Sequence, residues 1–177
     1  HWRKVGALRR LTNEDRTASV AAVAAVGLAG LEYQPIGKLS VGQFQRVLFA
    51  RLMVQEAALI LLDEPFNAID QKTTEDLMRV VTAWQDEGRT VIAITHDIDF
   101  CAEHSPRAVV MAGGRILADG EAAPVLSAAD VLSRAEVDPP QMIRLAQALA
   151  LPGSPLTVDE FVGMLAARRG APKDSAG

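Results

Sequence analysis

Apolar and polar positions change period several times along the chain, and each change marks an element. Thr12-Asn13-Glu14-Asp15 has the Ser/Thr-x-x-acid form of a capped helix start, and an Ala/Val-rich run follows to about Val26. Gly27, Gly30, Pro35 and Gly37 then break the period before Ser40-Val41-Gly42-Gln43, a second capping box opening a helix through about Glu56. Leu59-Ile60-Leu61-Leu62, ended by Asp63-Glu64-Pro65, reads as a strand buried on both faces of a parallel sheet. Asp70 can cap the next helix, whose apolar positions Leu77, Val80, Val81 and Trp84 recur at helical spacing until Gly88 closes it. Thr90-Val91-Ile92-Ala93-Ile94-Thr95 is β-branched and apolar, a second buried strand ending at His96-Asp97. Strand, helix and strand in succession predict a βαβ unit and an α/β fold class.

Further on, Arg107 to Met111 and Arg115 to Asp119 flank Ala112-Gly113-Gly114, the pattern of a hairpin or tight turn at which the sheet ends. Beyond Gly120 the chain becomes helical and proline-punctuated. Pro139-Pro140 precede Met142, Ile143, Leu145 and Leu149, and Thr157-Val158-Asp159-Glu160 caps a last helix through about Arg168. Gly170 to Gly177 has nothing to bury and is expected to be disordered.

Composition narrows the classes. The 177 residues are 49% hydrophobic, enough for a sizeable core. Eighteen Lys and Arg against 22 Asp and Glu give a net charge of −4, which advertises no broad basic surface and argues against nucleic acid as a partner. The single cysteine, Cys101, can form neither an internal disulfide nor a Cys-rich zinc site, and fits a reducing cytoplasm. The longest uncharged apolar stretch, Val20 to Leu31, is too short to cross a bilayer. His1-Trp2-Arg3-Lys4 leads into no apolar signal core, and His1 reads as an internal cut.

Candidate chemistry gathers in three segments. Asp63 ends an apolar strand where a carboxylate can hold Mg2+ or its water, and the adjacent Glu64 can polarise an attacking water. Ser40 and Gly42 stand at a helix start, where unpaired N–H groups and the dipole favour an anion. His96, at the end of the second strand, can hydrogen-bond a phosphate. A metal site built from His96, Cys101 and His104 is disfavoured, since offsets of five and three do not put all three on one helical face. Arg51, Arg79 and Arg168-Arg169 read as solvated surface charges.

The order of Leu39-Ser40-Val41-Gly42-Gln43-Phe44-Gln45-Arg46, Leu59-Ile60-Leu61-Leu62-Asp63-Glu64-Pro65 and Ile94-Thr95-His96-Asp97 resembles the ABC transporter ATPase family, over roughly residues 20 to 120. The first looks like the signature motif, the second the Walker B strand with its adjacent glutamate, the third the switch histidine, and Asn67-Ala68-Ile69-Asp70 the D-loop. The resemblance implies catalytic roles for Glu64 and His96, a Mg2+ role through water for Asp63, and contact of Ser40, Gly42, Gln43 and Asp70 with ATP of an opposing subunit or with the dimer interface. Val41 departs from the family, replacing the glycine most members carry and adding bulk where phosphate is expected.

A P-loop needs G-x-x-x-x-G-K-[ST], whose backbone N–H groups and Lys cradle phosphate. The only Gly-Lys here, Gly37-Lys38, is followed by Leu39 and preceded five positions earlier by Glu32, so this sequence carries no Walker A. The resemblance places the P-loop, the adenine-stacking aromatic and the glutamine loop upstream, and implies an incomplete P-loop NTPase (ABC ATPase) fold. Its parts would be a helical signature subdomain (1–57), a RecA-like core portion (58–120), a helical C-terminal appendix (121–169) and a disordered tail (170–177). The absent strand would leave apolar surface and unpaired backbone groups open.

Family members dimerise head to tail, each nucleotide lying between one P-loop and the other signature motif. The implied function is that of an ATP-hydrolysing subunit of an importer, using ATP and Mg2+, with a transmembrane permease, a second ATPase subunit and a substrate-binding protein as partners. Its place would be the cytoplasmic face of the inner membrane, held there through the permease. Pro35-Ile36, Arg46 to Arg51 and Asp63 to Asp70 look most like zinc and manganese importer ATPases. Val110 to Gly120, Pro139-Pro140-Gln141 and Thr157 to Glu160 resemble energy-coupling-factor ATPases. Two alternatives are a non-hydrolysing half-ATPase that lends its signature motif to a complete subunit, and a soluble ABC-type ATPase with no transporter.

Overall fold

Two of the helix starts form as their capping boxes dictate. In the computed structural model, which describes residues 12–67 and 69–170 with side chains through Arg168, helix α1 (Asn13–Ala25) begins where the Asp15 amide donates to Thr12 Oγ1 at 3.1 Å. The Thr12 amide donates back to the Asp15 carboxylate at 2.9 Å. Helix α2 (Val41–Met53) repeats the arrangement, Gln43 N donating to Ser40 Oγ at 3.2 Å and Ser40 N to Gln43 Oε1 at 2.9 Å. Each box satisfies amides that a helix start would leave unpaired. Helix α2 stops at Met53, short of the expected Glu56, because Glu56 turns into the left-handed region at φ 48°. The basic opening and the tail from 171 lie outside the described residues, as does Ala68.

The chain divides into two compact units, one through Ile94 and the other from Thr95, and the boundary falls inside the stretch 58–120. In the first unit, strand β1 (Leu59–Asp63), helix α3 (Gln71–Asp86) and strand β2 (Thr90–Ile94) form the expected βαβ unit. The strands pair in parallel from Leu59↔Thr90 to Asp63↔Ile94. Its core joins Ala22 of α1 and Val26 at its C-cap, Phe49 and Ala50 of α2, Ile60 and Leu62 of β1, and Leu77, Val81 and Trp84 of α3.

The strands are not buried on both faces as their composition suggested. Ile60 is 2% exposed, but Leu61 next to it is 64% exposed, and its register partner Ile92 is 48% exposed. Alternate side chains point to opposite faces, and among the described residues of this unit the core helices cover only one of them. Leu59, Leu61, Ile92 and Ile94 therefore form an open apolar face, as the incomplete-fold reading anticipates. Replacing Leu61 and Ile92 together by Thr puts β-branched strand formers at both positions while removing apolar surface. The double variant is expected to sediment with a much larger monomer fraction than the parent chain; equal self-association in sedimentation velocity would show that this face is not the adhesive one.

The second unit contains helix α4 (Ile98–His104), strands β3 (Arg107–Ala112) and β4 (Arg115–Glu121), and helices α5 (Ala122–Ser127), α6 (Ala129–Arg134), α7 (Gln141–Ala148) and α8 (Val158–Gly170). The hairpin is antiparallel and forms a two-stranded sheet of its own. Gly113 and Gly114 sit at φ 55° and 71°, the left-handed pair that a tight two-residue turn requires. Ala102, Ala108, Ala122, Val125 and Leu126 make its main core, with Cys101 packed half-buried against it. Ala146, Leu151 and Phe161 make a smaller one under α7 and α8. The predicted cap of α8 is present, Glu160 N donating to Thr157 Oγ1 at 3.2 Å.

Candidate functional site

The start of α2 faces the start of α3 across a cavity of about 330 Å³ in the first unit. Ser40, Gly42, Gln43 and Asp70 all line it, so the four residues expected to meet nucleotide are brought together. Their placement follows from local capping. Ser40 is the N-cap of α2 and Asp70 that of α3, so both helix starts open on the same space. The Ser40 oxygen is occupied as an acceptor from Gln43 N, which leaves its hydroxyl proton to donate, and the amides of Val41 and Gly42 precede the first intrahelical bond, Phe44 N to Ser40 O. Together these favour an anion. A Cβ on Gly42 would meet only Ile69 Cγ2, at an ordinary 3.9 Å, so the described residues do not themselves demand a glycine there. Val41, the departure from the family pattern, is 61% exposed on the outer side of the first turn.

Arg46 closes the signature-like segment, and the sequence alone gives it no partner. Its guanidinium donates to Val26 O at 3.2 Å and to Thr73 Oγ1 at 2.8 Å, and it reaches the Asp76 carboxylate at 3.4 Å. Thr73, only 4% exposed, donates its hydroxyl to Asp70 Oδ2 at 2.8 Å, and its amide donates to Asp70 Oδ1 at 2.9 Å. These two bonds from Thr73, amide first and hydroxyl second, hold the Asp70 carboxyl below the usual aspartate range, and the Arg46 charge adds to them. Since the folded-state value is the lower one, the contribution is present above the unfolded aspartate value and lost as pH falls through the folded value. Asp70→Asn is expected to flatten the acid limb of the first unit's urea midpoint between about pH 6 and about pH 2, by an amount that shrinks at high salt. An unchanged acid limb would remove Asp70 from that linkage.

Asp63 and Glu64 lie elsewhere in the same unit. Asp63 ends β1 opposite Ile94 and lines an apolar groove with Leu48, Phe49, Leu52 and Pro65. Glu64 has φ 45°, an uncommon conformation for a residue with a Cβ, pinned by its own N–H donating to Ile94 O at 2.9 Å and by Asn67 N donating to its carbonyl at 3.3 Å. His96 belongs to the second unit, in the bend before Asp97, the N-cap of α4. Thr95 Oγ1 accepts from Asp97 N at 3.0 Å there, which shapes the bend. Among the described residues no three His, Cys, Asp or Glu side chains gather to hold a metal ion. A lone carboxylate such as Asp63 suits Mg2+ that also takes phosphate oxygens and water.

A βαβ core, with a capped helix start opening on a polar cavity and an acidic pair at a strand end, is the P-loop NTPase fold of ABC ATPase cassettes, present in part. Residues 4–67 match the ABC transporter family. Phosphonates import ATP-binding protein PhnC 2 of Pseudomonas savastanoi pv. phaseolicola is 38% identical over 120 residues, covering 67% of this chain and 43% of that protein. Energy-coupling factor transporter ATP-binding protein EcfA2 of Methanospirillum hungatei is 32% identical over 128 residues, 72% of this chain and 32% of that protein. Among solved structures, cbiO1 from Clostridium perfringens, part of the ABC transporter complex cbiONQ, has a TM-score of 0.59 at 26% identity, covering 81% of this chain and 56% of that one. The chain thus spans less than half the length of these curated relatives. Among the described residues no helix is long and apolar enough to cross a membrane.

Proposed function

We propose that this chain is the C-terminal part of the ATP-binding subunit of an ABC importer, one that drives uptake of a divalent metal ion by ATP-dependent closure of a head-to-tail dimer. The observation that carries the reading is the convergence of Ser40, Gly42, Gln43 and Asp70 on one cavity at a helix start. ATP supplies the phosphoanhydride bond, and Mg2+ neutralises phosphate charge. On this reading the Ser40 hydroxyl and the first amides of α2 bind phosphate oxygens of a nucleotide seated on another subunit's P-loop. Asp63 holds Mg2+ through water, Glu64 accepts a proton from water, and His96 donates a hydrogen bond to phosphate.

Residues 1–57 then form the signature subdomain, 58–120 the core portion and 121–169 a C-terminal appendix. The permease, a second ATPase subunit and a substrate-binding protein complete the assembly on the cytoplasmic face of the membrane. The metal cargo rests on the motif resemblance around Pro35 and Asp63 to Asp70; the curated relatives are named for phosphonate import and energy coupling.

The deciding experiment reads the DNA upstream of the His1 codon in frame. A strand followed by G-x-x-x-x-G-K-[ST] within roughly a hundred residues, a length one domain accommodates, supports the proposal, and zinc or manganese uptake by cells carrying the complete gene then tests the cargo. A stop codon before a plausible start would instead favour the half-ATPase that lends its signature motif to a complete subunit.

A further inference from the structure

The contacts of Arg46 tie α2 to two sequence-distant places, the C-cap of α1 and the helix α3. Its Nη1 takes the Val26 carbonyl at the end of α1, while its Nη2 takes the Thr73 hydroxyl and the Asp76 carboxylate on α3. The side chain is 17% exposed, so these bonds are largely shielded from water. Gly27 makes room for it. The α1 helix closes with Leu28 N donating to Val23 O and Gly27 N to Ala24 O, a closure that puts Gly27 at φ 73°. A Cβ there would stand 2.7 Å from Arg46 Nη1, so the guanidinium would have to move from its present place to admit one. The same glycine therefore follows the end of one helix and leaves the space by which the guanidinium reaches the Val26 carbonyl at that helix's C-cap.

We propose that Arg46 is the positioning residue of the cavity at the start of α2: acting through Thr73, it holds Asp70 and the start of α3 at a set distance from Ser40 and Gly42, and Gly27 is the gap that admits it. The relay runs in one direction. The guanidinium donates to Thr73 Oγ1, and that hydroxyl, its lone pair engaged, turns its own proton to Asp70 Oδ2. A planar, doubly bonded guanidinium can keep Val26 and Thr73 together, whereas an ammonium on a flexible stem cannot hold both. The inference rests on the nucleotide reading only for the use of the cavity, since the brace itself is a property of this chain alone.

The test is made on the full chain without nucleotide, so that its failure and the failure of the nucleotide reading are distinguishable. Arg46→Gln is expected to speed exchange of the Thr73 amide by roughly tenfold, the change that corresponds to losing one charge-assisted hydrogen bond, and to raise the Asp70 carboxyl midpoint seen by carbon NMR. Arg79→Gln takes an equal charge from Asp76 but touches neither Thr73 nor Val26, and is expected to move neither readout. Arg46→Lys is expected to return the Asp70 midpoint towards the parent value while leaving Thr73 exchange fast, a split that simple loss of packing would not produce. Unchanged Thr73 exchange and an unchanged Asp70 midpoint in a folded Arg46→Gln chain overturn the proposal. Should Arg46→Gln fail to fold, Arg46→Lys is decisive by itself: faster Thr73 exchange supports the brace, and parent-like exchange overturns it.

Discussion

In an ATP-binding subunit of the proposed kind, Glu64→Gln is expected to slow MgATP turnover by roughly 10²- to 10⁴-fold, the contribution of a well-placed general base, with nucleotide binding retained. Glutamine has nearly the same shape and can keep the hydrogen bonds of the carboxylate that need an acceptor, yet it cannot take up a proton. The backbone is the reason to expect a clean result. Glu64 is held at φ 45° by a bond from its own amide to Ile94 O, and its carbonyl accepts from Asn67 N, so the side chain's starting point is set by groups the substitution does not touch. Steady-state turnover and equilibrium ATP binding measured side by side check it. Turnover within about twofold of the parent, far short of the loss expected on removing a base, would remove Glu64 from the role of base. The 177-residue chain by itself, which has no G-x-x-x-x-G-K-[ST], is expected to show negligible turnover with either residue at position 64.

The largest effect on stability is expected from Phe49→Ala, about 3 to 5 kcal/mol for truncating a buried aromatic. Phe49 is 2% exposed and stacks on Trp84 of α3, ring centroids 5.7 Å apart and planes 6° from parallel. On its other side it meets Phe66 at 6.1 Å, tilted by 44°. The ring thus links α2 to α3 and to the turn after β1, and no neighbouring backbone can collapse into the void without moving one of those elements. Domains of this size are stable by only about 5 to 15 kcal/mol, so the variant forfeits a large part of the total. Val41→Ala, at an exposed position two turns away, is expected to stay within about 0.5 kcal/mol of the parent. Urea unfolding followed by Trp84 fluorescence makes the comparison. A Phe49→Ala loss below about 1 kcal/mol, typical of a site outside the core, would place Phe49 outside the cooperative core. Since Phe49 also lines the groove beside Asp63, the same truncation loosens the wall behind that carboxylate.

Local chemistry accounts for what could be read early. The caps at Thr12, Ser40, Asp70 and Thr157 are each settled within four residues, so the helix starts, and with them the position of Ser40 and Asp70, follow from short stretches of sequence. The βαβ order followed equally from two apolar runs, the second of them β-branched, around an amphipathic helix. The end of α2 did not, because its stop depends on Glu56 entering a left-handed conformation that its residue type does not announce.

The sequence by itself determined the order of elements, their starts, and which residues carry carboxylate, hydroxyl and imidazole chemistry, because those properties belong to single residues or to one turn of chain. Only the tertiary structure decided which side chains of the strands stay open, Leu59, Leu61, Ile92 and Ile94, since the apolar run Leu59 to Leu62 says how much can be buried and not which face the helices cover. It alone revealed Arg46 as a brace, because the partners of that guanidinium lie 20, 27 and 30 residues away and a pattern of nearest neighbours cannot encode them. It alone showed that Ser40, Gly42, Gln43 and Asp70 share a cavity, which required two helix starts, each legible separately, to be packed face to face by a core that neither of them contains.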